Sequence, residues 1–218
     1  LLFDSGDFFQ GTPYFNRFHG VLEMKLMSKL AYDVATLGNH DFDIGIEGFM
    51  QAQQYAQFKF VNANYDFGQT PMSAVIQPYQ ILEKGPYKVG VFGLGVDLNG
   101  LLPQSNFQGI VMKDPYESAK KVIQSLNEAN CDFIVCLSHL GYQYQDEHKP
   151  SDVLLAQKVP GIDLILGGHT HTFMDEPTKV TNVEGKDVWI HQVGWAGVRL
   201  GVIEVSANKF SFWQRKIQ

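Results

Sequence analysis

The chain has 218 residues, of which 44% are hydrophobic, and it carries a formal net charge of -6. This length suffices for one large hydrophobic core, so we expect residues 1–218 to form a single domain. The negative net charge argues against binding to a nucleic-acid backbone, which needs a basic face. No apolar run reaches the roughly 18 residues of a membrane-spanning helix. We therefore expect a globular domain that has neither a nucleic-acid polymer as partner nor a membrane span.

The first two thirds of the chain predict strands and helices in alternation. Helical spacing of apolar residues predicts helices over 21–32 and 46–55. The first helix has a wide apolar face that we expect to be buried, formed by Leu22, Leu26 and Leu30 with Met24 and Met27 beside them. The clearest helix start is at Asp114-Pro115, an acidic N-cap followed by proline. Apolar runs predict strands over 1–3, 34–37, 58–61, 73–82, 87–94, 132–137 and 162–166.

The last fifty residues predict strands without helices between them, over 188–193, 198–205 and 210–213. We expect these strands to form an antiparallel meander that closes the sheet, with turns at 184–186 and 206–208. The whole pattern is βαβα with a β-rich tail, which places the fold in the α/β to α+β class.

The two cysteines, Cys131 and Cys136, lie in one apparent strand. Five steps along a strand would place them on opposite faces and about 16 Å apart. Since that is too far for a disulfide, we expect two unbridged structural thiols.

Metal-competent side chains follow four of the predicted strands. In open α/β sheets, ligands bind beyond the carboxyl ends of the strands, so these side chains should meet at one edge. Residues of this kind follow the strands at Asp7, at Asn39 and His40, at His139, and at His169 and His171.

The residue types suit a pair of divalent metal ions. Two ions about 3.5–4 Å apart need a bridging carboxylate and can then share a hydroxide nucleophile. Asp7 suits the bridge, and Asn39 offers a neutral oxygen. The imidazoles of His139, His169 and His171 suit Zn, Mn, Fe, Co or Ni, which leaves the metal undetermined.

His40 is expected to act in chemistry rather than as a ligand, because its neighbour Asn39 already faces the metal. It is placed to serve as a general acid or as a hydrogen-bond donor to phosphate. Asp43, three residues on, could fix the imidazole tautomer and raise its pKa. Three histidines lie outside these motifs and are expected to be non-ligands: His19, His148 and His191. His191 lies in a predicted strand and could flank the site.

Each candidate also has an ordinary structural interpretation. Asp7 and the Asn39-His40 pair could be turn residues, and His139 could be a satisfied core histidine. Alternating histidines after a glycine pair, as at His169 and His171, are harder to explain structurally. The joint occurrence of all these residues at strand ends favours a metal site.

Taken in order, the motifs resemble those of the calcineurin-like metallophosphoesterases: Gly6-Asp7, Gly38-Asn39-His40-Asp41, Ser138-His139 and Gly168-His169-Thr170-His171. The segments 9–13 and 39–43 further resemble the 5'-nucleotidase subfamily, which includes bacterial UDP-sugar hydrolases. The resemblance implies a β-sandwich of two mixed sheets flanked by helices, metal-dependent hydrolysis of phosphate esters, and a periplasmic or other extracytoplasmic location.

The resemblance also implies roles for the candidate residues. A second metal would be held by Asp7, Asn39, His139 and His169. A first metal would take Asp7 and His171, and His40 with Asp43 would form the catalytic dyad.

The sequence departs from the family pattern in two ways. The Asp-x-His motif that should precede the first strand is absent, so the first metal has only Asp7 and His171, and we expect a domain truncated at its N-terminus. Asp4 is a poor substitute, because strand alternation would point its side chain away from Gly6. The family's C-terminal nucleotide-specificity domain is missing, and no recognisable phosphate motif contains Arg17, Arg199 or Arg215.

Three functions remain open at this stage. The leading one is 5'-nucleotidase-like release of phosphate from nucleotides. The alternatives are a sugar-nucleotide or cyclic-nucleotide phosphodiesterase, and a half-site module that binds one metal and works only with a partner domain. Two ions per chain would favour the enzyme as it stands, and one ion would favour the half-site module.

Overall fold

The computed structural model describes residues 1–206 and 209–217, which contain two main β-sheets with helices on their outer sides. The helices are α1 (Pro13–Phe18), α2 (Val21–Lys29), α3 (Gly45–Gln53), α4 (Pro115–Glu128) and α5 (Asp152–Lys158). The strands are β1 (Phe3–Asp4), β2 (Val34–Ala35), β3 (Lys59–Val61), β4 (Tyr65–Asp66), β5 (Ile76–Gln77), β6 (Tyr79–Lys84), β7 (Tyr87–Leu94), β8 (Val111–Met112), β9 (Phe133–Ser138), β10 (Leu164–Gly167), β11 (Thr178–Thr181), β12 (Asp187–His191), β13 (Arg199–Ser206) and β14 (Lys209–Lys216). Short 3-10 turns cover His40–Phe42, Pro71–Ala74 and Gln104–Phe107.

The first sheet has the order β1-β2-β3-β5, and its strands are parallel. The second sheet has the order β11-β12-β10-β9-β7-β6, in which the four central strands are parallel and the two edge strands run antiparallel. Two small antiparallel pairs, β4-β8 and β13-β14, complete the β-structure of the described residues.

The two sheets face each other across a layer of aliphatic side chains. Strands from both sheets supply this layer through Val34, Val61, Val91, Val135, Leu137 and Leu164. A second apolar cluster joins the first sheet to α1, α2 and α3, and a third joins the second sheet to α4 and α5. Strands covered on both faces explain the continuous apolar runs that predicted β9 and β10. The predicted fold class, two sheets flanked by helices, is confirmed.

The start of α4 also follows the prediction. The Asp114 carboxylate accepts a hydrogen bond from the backbone N–H of Glu117 at 2.8 Å, and Pro115 occupies the first turn. The predicted apolar positions of this helix are buried: Ala119, Val122, Ile123 and Leu126.

The predicted strand over 73–82 is wrong. Residues 71–74 form a 3-10 turn, β5 joins the first sheet, and β6 joins the second. Pro78 lies between β5 and β6 and has no N–H to donate to a ladder, so the chain changes sheets there.

The predicted wide buried face of α2 is confirmed for its two methionines and wrong for two of its leucines. Met24 and Met27 are buried, whereas Leu26 and Leu30 are 50% and 65% exposed. The helix ends at Lys29. Helical spacing fits both apolar stripes, and the packing against the first sheet selects the methionines.

The predicted C-terminal meander of three antiparallel strands is wrong. Strand β12 pairs in parallel with β10 and antiparallel with β11, so it belongs inside the second sheet. Of the three strands predicted for this meander, the last two correspond to β13 and β14, which form an antiparallel pair. The predicted turn at 184–186 does connect β11 to β12, through backbone N–H groups of Glu184 and Lys186 that donate to the Asn182 side chain. The predicted turn at 206–208 includes 207 and 208, which lie outside the described residues.

Both cysteines are unbridged, as predicted. Cys136 is buried in β9, while Cys131 precedes the strand. No described helix combines the length and the apolar character that crossing a lipid bilayer requires.

Candidate metal centre

Four parallel strands from the two sheets carry the candidate residues at their carboxyl ends. Asp7 follows β1 and Asn39 follows β2 in the first sheet, and His139 and His169 follow β9 and β10 in the second. The site therefore lies where one end of each sheet meets the other.

Three of these side chains converge. The ligand atoms of Asp7, His139 and His169 all lie within 4.8 Å of one another. Nε2 of His139 is 3.0 Å from Oδ2 of Asp7, and the rings of His139 and His169 have their centroids 5.2 Å apart. Asn39 precedes His40, whose backbone N–H donates to Asp7, and it is buried with 6% of its surface exposed. This arrangement could hold one metal ion.

Two buried atoms of this group support metal binding. Among the described residues, Oδ1 of Asn39 has no hydrogen-bond partner. Nε2 of His139 makes no hydrogen bond either, although Oδ2 of Asp7 lies 3.0 Å away, and buried polar atoms are rarely left in this way. Nδ1 of His139 lies 2.6 Å from the carbonyl oxygen of Ser5. Because a carbonyl only accepts, Nδ1 carries the proton and Nε2 presents its lone pair. The residues present therefore fit a divalent transition metal.

The charges of the site oppose the effect of burial. Burial alone lowers the pKa of His139, but the charge and contact of Asp7 outweigh burial and raise it. Burial alone raises the pKa of Asp7, and His139 in turn brings it below its usual value. The pKa of His169 is lowered to about 4, mainly by burial and then by the charge of His139. His169 is therefore neutral at neutral pH, the form in which an imidazole binds metal.

Asp41 ties the two loops of the first sheet together. Its carboxylate is fully buried and accepts hydrogen bonds from the backbone N–H groups of Asp7 at 2.9 Å, Gly38 at 2.8 Å and Phe9 at 3.3 Å. Burial, followed by the charge of Asp7, raises its pKa well above the usual value. Asp41 belongs to the Gly38-Asn39-His40-Asp41 motif, for which no role of Asp41 was predicted. Its three-residue spacing from Gly38, which suits a side chain that bonds a nearby backbone N–H, was the available signal.

Glycine is required where these loops touch. A Cβ at Gly38 would overlap Asp7 and the imidazole of His139, so no other residue fits without moving the cluster. Gly6 has a φ of +88°, and a Cβ there would overlap the backbone of Gly38. The close approach of the two loops therefore depends on both glycines.

His40 and Asp43 form a pair at the exposed side of the site. Nδ1 of His40 lies 2.9 Å from Oδ2 of Asp43, across the 3-10 turn that joins them. The backbone N–H of His40 donates to Oδ1 of Asp7 at 2.7 Å. The Asn106 side chain holds the turn by donating to the carbonyl oxygens of Phe42 and Asp43 at 3.0 and 3.1 Å. The predicted contact of His40 with Asp43 is confirmed, and its chemical role stays a prediction.

The structure does not place His171 in the three-residue cluster of Asp7, His139 and His169. His171 is exposed, and its ring stacks on Trp195 with centroids 5.7 Å apart. Its role as a ligand of the first metal stays a prediction.

The predicted orientation of Asp4 is wrong. Oδ1 of Asp4 accepts a hydrogen bond from the backbone N–H of Gly6 at 2.9 Å, because the chain leaves the strand at once and folds back over the carboxylate. The pKa of Asp4 is raised to about 6, chiefly by burial.

The remaining histidines lie in other settings. His19 ends α1 with a φ of 46°, and His148 is exposed in the loop after β9. His191 is buried at the end of β12, where its ring packs against Phe212 with centroids 4.1 Å apart. These three stay predicted non-ligands.

Comparison with known proteins agrees with this geometry. The family model of the calcineurin-like phosphoesterases matches residues 1–173, which contain all the candidate site residues. The chain belongs to this family. Calcineurin-like phosphoesterases use divalent metal ions, so a metal site among Asp7, Asn39, His139 and His169 is consistent with the family.

Among its relatives, this phosphoesterase is 31% identical to the trifunctional nucleotide phosphoesterase protein YfkN of Bacillus subtilis, over 97% of this chain and 17% of that protein. It is also 31% identical to the 5'-nucleotidase of Homo sapiens, over 96% of this chain and 38% of that protein. The chain thus spans less than two fifths of the length of these relatives.

Solved structures give the same result. The 5'-nucleotidase precursor of Thermus thermophilus superposes with a TM-score of 0.88 at 33% identity, over the whole of this chain and 45% of that one. The sulfate thiohydrolase SoxB of the same species reaches a TM-score of 0.84 at 21% identity, over 99% of this chain and 38% of that one, which shows a shared fold alone.

Proposed function

We propose that this calcineurin-like phosphoesterase hydrolyses phosphate esters, with release of phosphate from nucleotides as its leading reaction. The observation that carries the proposal is the convergence of Asp7, His139 and His169, with buried atoms of His139 and Asn39 that make no hydrogen bond among the described residues. The printed functions of the relatives support nucleotides as the substrate class.

We assign Asp7, Asn39, His139 and His169 to one ion, and Asp7 with His171 to a second. Divalent ions held there would polarise the phosphoryl group and supply a hydroxide nucleophile. The mixture of carboxylate, amide and imidazole ligands accepts Zn, Mn, Fe, Co or Ni. Asp7 is suited to the shared position, because its backbone N–H is fixed by Asp41 and its Oδ1 by the backbone N–H of His40.

His40 and Asp43 serve the proton and charge changes of the reaction. Asp43 accepts from Nδ1 of His40 and so fixes the tautomer, which leaves Nε2 to face the substrate. A protonated Nε2 donates a hydrogen bond to a phosphoryl or leaving-group oxygen as negative charge develops there. The bond from the backbone of His40 to Asp7 holds this dyad at a fixed position relative to the metal ligands.

We expect further parts in the whole protein, because the chain spans less than two fifths of its curated relatives. An Asp-x-His motif would complete the first metal, and a C-terminal domain would orient the nucleotide. We also expect an extracytoplasmic location, which the likeness to snake venom 5'-nucleotidases supports at 31% identity.

The placement of His171 favours the half-site module as the second candidate. Its imidazole lies outside the cluster of Asp7, His139 and His169, so these described residues offer one compact cation site. A diester or sugar-nucleotide hydrolase would use the same metal ligands and differs from the leading function only in its substrate.

The test measures metal content and hydrolysis on the same purified chain. After reconstitution with Mn or Co, ions per chain are counted, and turnover is followed with AMP, UDP-glucose and bis(p-nitrophenyl) phosphate. His139→Ala serves as the loss-of-site variant, and the exposed His148→Ala is its matched control.

We expect at most one well-held ion, weak hydrolysis with AMP preferred, and loss of both in His139→Ala. Preference for either other substrate would replace the 5'-nucleotidase assignment. One ion with no hydrolysis of any substrate would favour the half-site module. Turnover of this chain near ~10 per second, the median for enzymes, would show that no further metal ligands are needed.

A further inference from the structure

The loop that follows β10 holds an unusual backbone conformation. His169 and His171 have φ values of 68° and 53°, in the left-handed region that residues other than glycine seldom adopt. Such residues cost on the order of 1–3 kcal/mol each and persist only where surrounding contacts hold them. Both histidines are candidate metal ligands, so whatever holds this loop also fixes the site.

The side chain of Gln192 supplies contacts along the whole loop. Gln192 is buried, with 1% of its surface exposed. Its Nε2 donates to the carbonyl oxygen of Gly168 at 2.7 Å, before the first histidine. Its Oε1 accepts from the hydroxyl of Thr170 at 3.2 Å, between the histidines, and from the backbone N–H of Thr172 at 2.5 Å, after the second.

The sheet topology explains how Gln192 reaches this loop. Strands β12 and β10 are parallel neighbours, and His191 pairs with Leu166 at their carboxyl ends. The residue that follows β12, Gln192, therefore lies against Gly167, where a Cβ would come within 2.9 Å of Nε2 of Gln192. Glycine at 167 leaves room for the amide to pass beneath the loop.

The hydrogen bonds of the loop are mutually consistent only with an amide at this position. The Thr170 hydroxyl accepts from the backbone N–H of Tyr142 at 3.0 Å and lies 3.0 Å from the Thr172 hydroxyl. With Thr172 as the donor of that contact, the Thr170 proton goes to Oε1 of Gln192. The loop thus presents two donors and one carbonyl acceptor to a single buried side chain. A carboxylate lacks the donor, and an apolar side chain would leave all three groups without this partner.

We propose that Gln192 is a positioning residue that sets the orientation of His169 and His171 for metal binding. The inference rests on the metal centre of the proposed function, but it does not depend on which ester is hydrolysed. Within the described residues, the side-chain hydrogen bonds of Gln192 go to Gly168, Thr170 and Thr172, so it acts through the conformation of the loop.

The decisive variant is Gln192→Met, which has a similar volume but neither the amide donor nor its strong acceptor. The matched control is Asn182→Leu, at the other end of β12. Asn182 is also a buried amide, 6% exposed, and its Oδ1 accepts from the backbone N–H groups of Glu184 and Lys186 at 2.9 and 3.0 Å. Both variants remove a buried amide that holds a loop, and only one of these loops carries histidines of the site.

The readouts are the affinity for Co(II), followed by its visible absorption, and the urea unfolding of the metal-free protein. We expect Gln192→Met to weaken Co(II) binding by about 10- to 100-fold and to change the absorption spectrum, as loss of an outer-shell partner does. Asn182→Leu should lose stability and keep the wild-type affinity and spectrum.

A third variant, Gln192→Glu, separates the two halves of the amide and serves if Gln192→Met does not fold. It keeps the acceptors for Thr170 and Thr172 and loses the donor to Gly168, so we expect a smaller loss of affinity. Wild-type Co(II) affinity and spectrum in the folded Gln192 variants would overturn the inference and leave the metal centre intact. Failure of the wild-type chain to bind Co(II) would instead overturn the metal centre, and the positioning role with it.

Discussion

The two sides of the site differ in burial and in hydrogen bonding. We call Asp7, Asn39, His139 and His169 the cluster, in which Asn39 and His139 are buried and Asp7 and His169 half-buried. The rim comprises the exposed His40, His171 and Trp195, together with Asp43, the half-buried partner of His40. In the cluster, side chains are held from behind, as Ser5 holds His139, while two of their buried ligand atoms have no hydrogen-bond partner within the described ranges. On the rim, the side chain of His40 is 47% exposed, and its contacts are with its own turn.

This difference assigns separate tasks to the two sides. A buried polar atom without a partner is costly, so the cluster is stable in this form only if a ligand such as a metal ion satisfies it. The groups of the rim remain hydrated and can meet a substrate without such a cost. Substitutions in the cluster should therefore change metal content, and substitutions on the rim should change turnover.

His139→Ala should produce the largest effect, because it removes a ligand atom from the centre of the cluster. We expect metal affinity to fall by more than the roughly 10- to 100-fold that follows loss of an outer-shell partner. Activity should be lost with the metal. Metal analysis after dialysis against a fixed free concentration measures the change, and His148→Ala is the surface control. Full occupancy in His139→Ala with unchanged hydrolysis would show that the cluster is not the metal site.

His40→Asn tests the rim. We expect kcat to fall by roughly 10²–10⁴, the usual contribution of a positioned acid or base, while metal content stays near normal. The physical reason is that His40 lies beside the ligands and bonds Asp7 only through its backbone N–H, which asparagine retains. If the variant lost its metal, His40 would be a ligand and the division between cluster and rim would fail.

The division also explains which parts could be predicted from the sequence. The carboxyl ends of parallel strands meet at one edge, so local patterns sufficed to predict the convergence of Asp7, His139 and His169. The place of β12 could not be predicted, because an apolar run carries no information about which strand lies beside it. The burial of Leu26 and Leu30 in α2 was predicted wrongly for a similar reason. The leucines and the methionines form two overlapping apolar stripes on this helix, and the pattern alone does not show which stripe is buried.

Most of the contacts that support the cluster were beyond a local pattern as well, and only the bond between Asp41 and Gly38 had a local signal. Asp41 bonds Asp7 across 34 positions, and Gln192 bonds Gly168 across 24. Such side-chain-to-backbone contacts arise only when distant loops converge. The sequence shows the polar residue, and the fold decides which backbone groups it meets.

Asp41→Asn tests whether these supports hold the cluster together. Three backbone N–H groups now donate to the two carboxylate oxygens of Asp41. Asparagine has one oxygen, and its NH₂ group would face at least one of these N–H donors. We expect the free energy of unfolding to fall by about 1–3 kcal/mol, the cost of leaving a buried group unsatisfied. Urea unfolding of the metal-free protein measures it. Asp97→Asn is the control, because Asp97 is exposed and accepts a single backbone bond, from Asn99. Equal stability changes in the two variants would argue against a special role for Asp41.

Asp152→Asn tests whether water reaches the region beside His139, and its effect is read from the pH dependence of stability. Asp152 is fully buried, accepts a hydrogen bond from the hydroxyl of Ser138, and has an Oδ2 without a partner in the described part of the chain. Burial is the largest cause that raises its pKa to about 8. The unfolded value is about 3.9, so between these values the folded protein binds a proton that the unfolded chain has released.

The sign of the resulting pH dependence follows from that difference. The contribution of Asp152 to stability is fully present below about pH 4 and is lost progressively as the pH rises towards about 8. Asparagine has no proton to lose at this position, so the free energy of unfolding of Asp152→Asn should fall less steeply than that of the wild type over this range. Urea unfolding at several pH values between these limits measures the two slopes, and the comparison cancels the groups that titrate in both proteins. Parallel curves would mean that water reaches Asp152, and that the side of the site behind His139 is as hydrated as the rim.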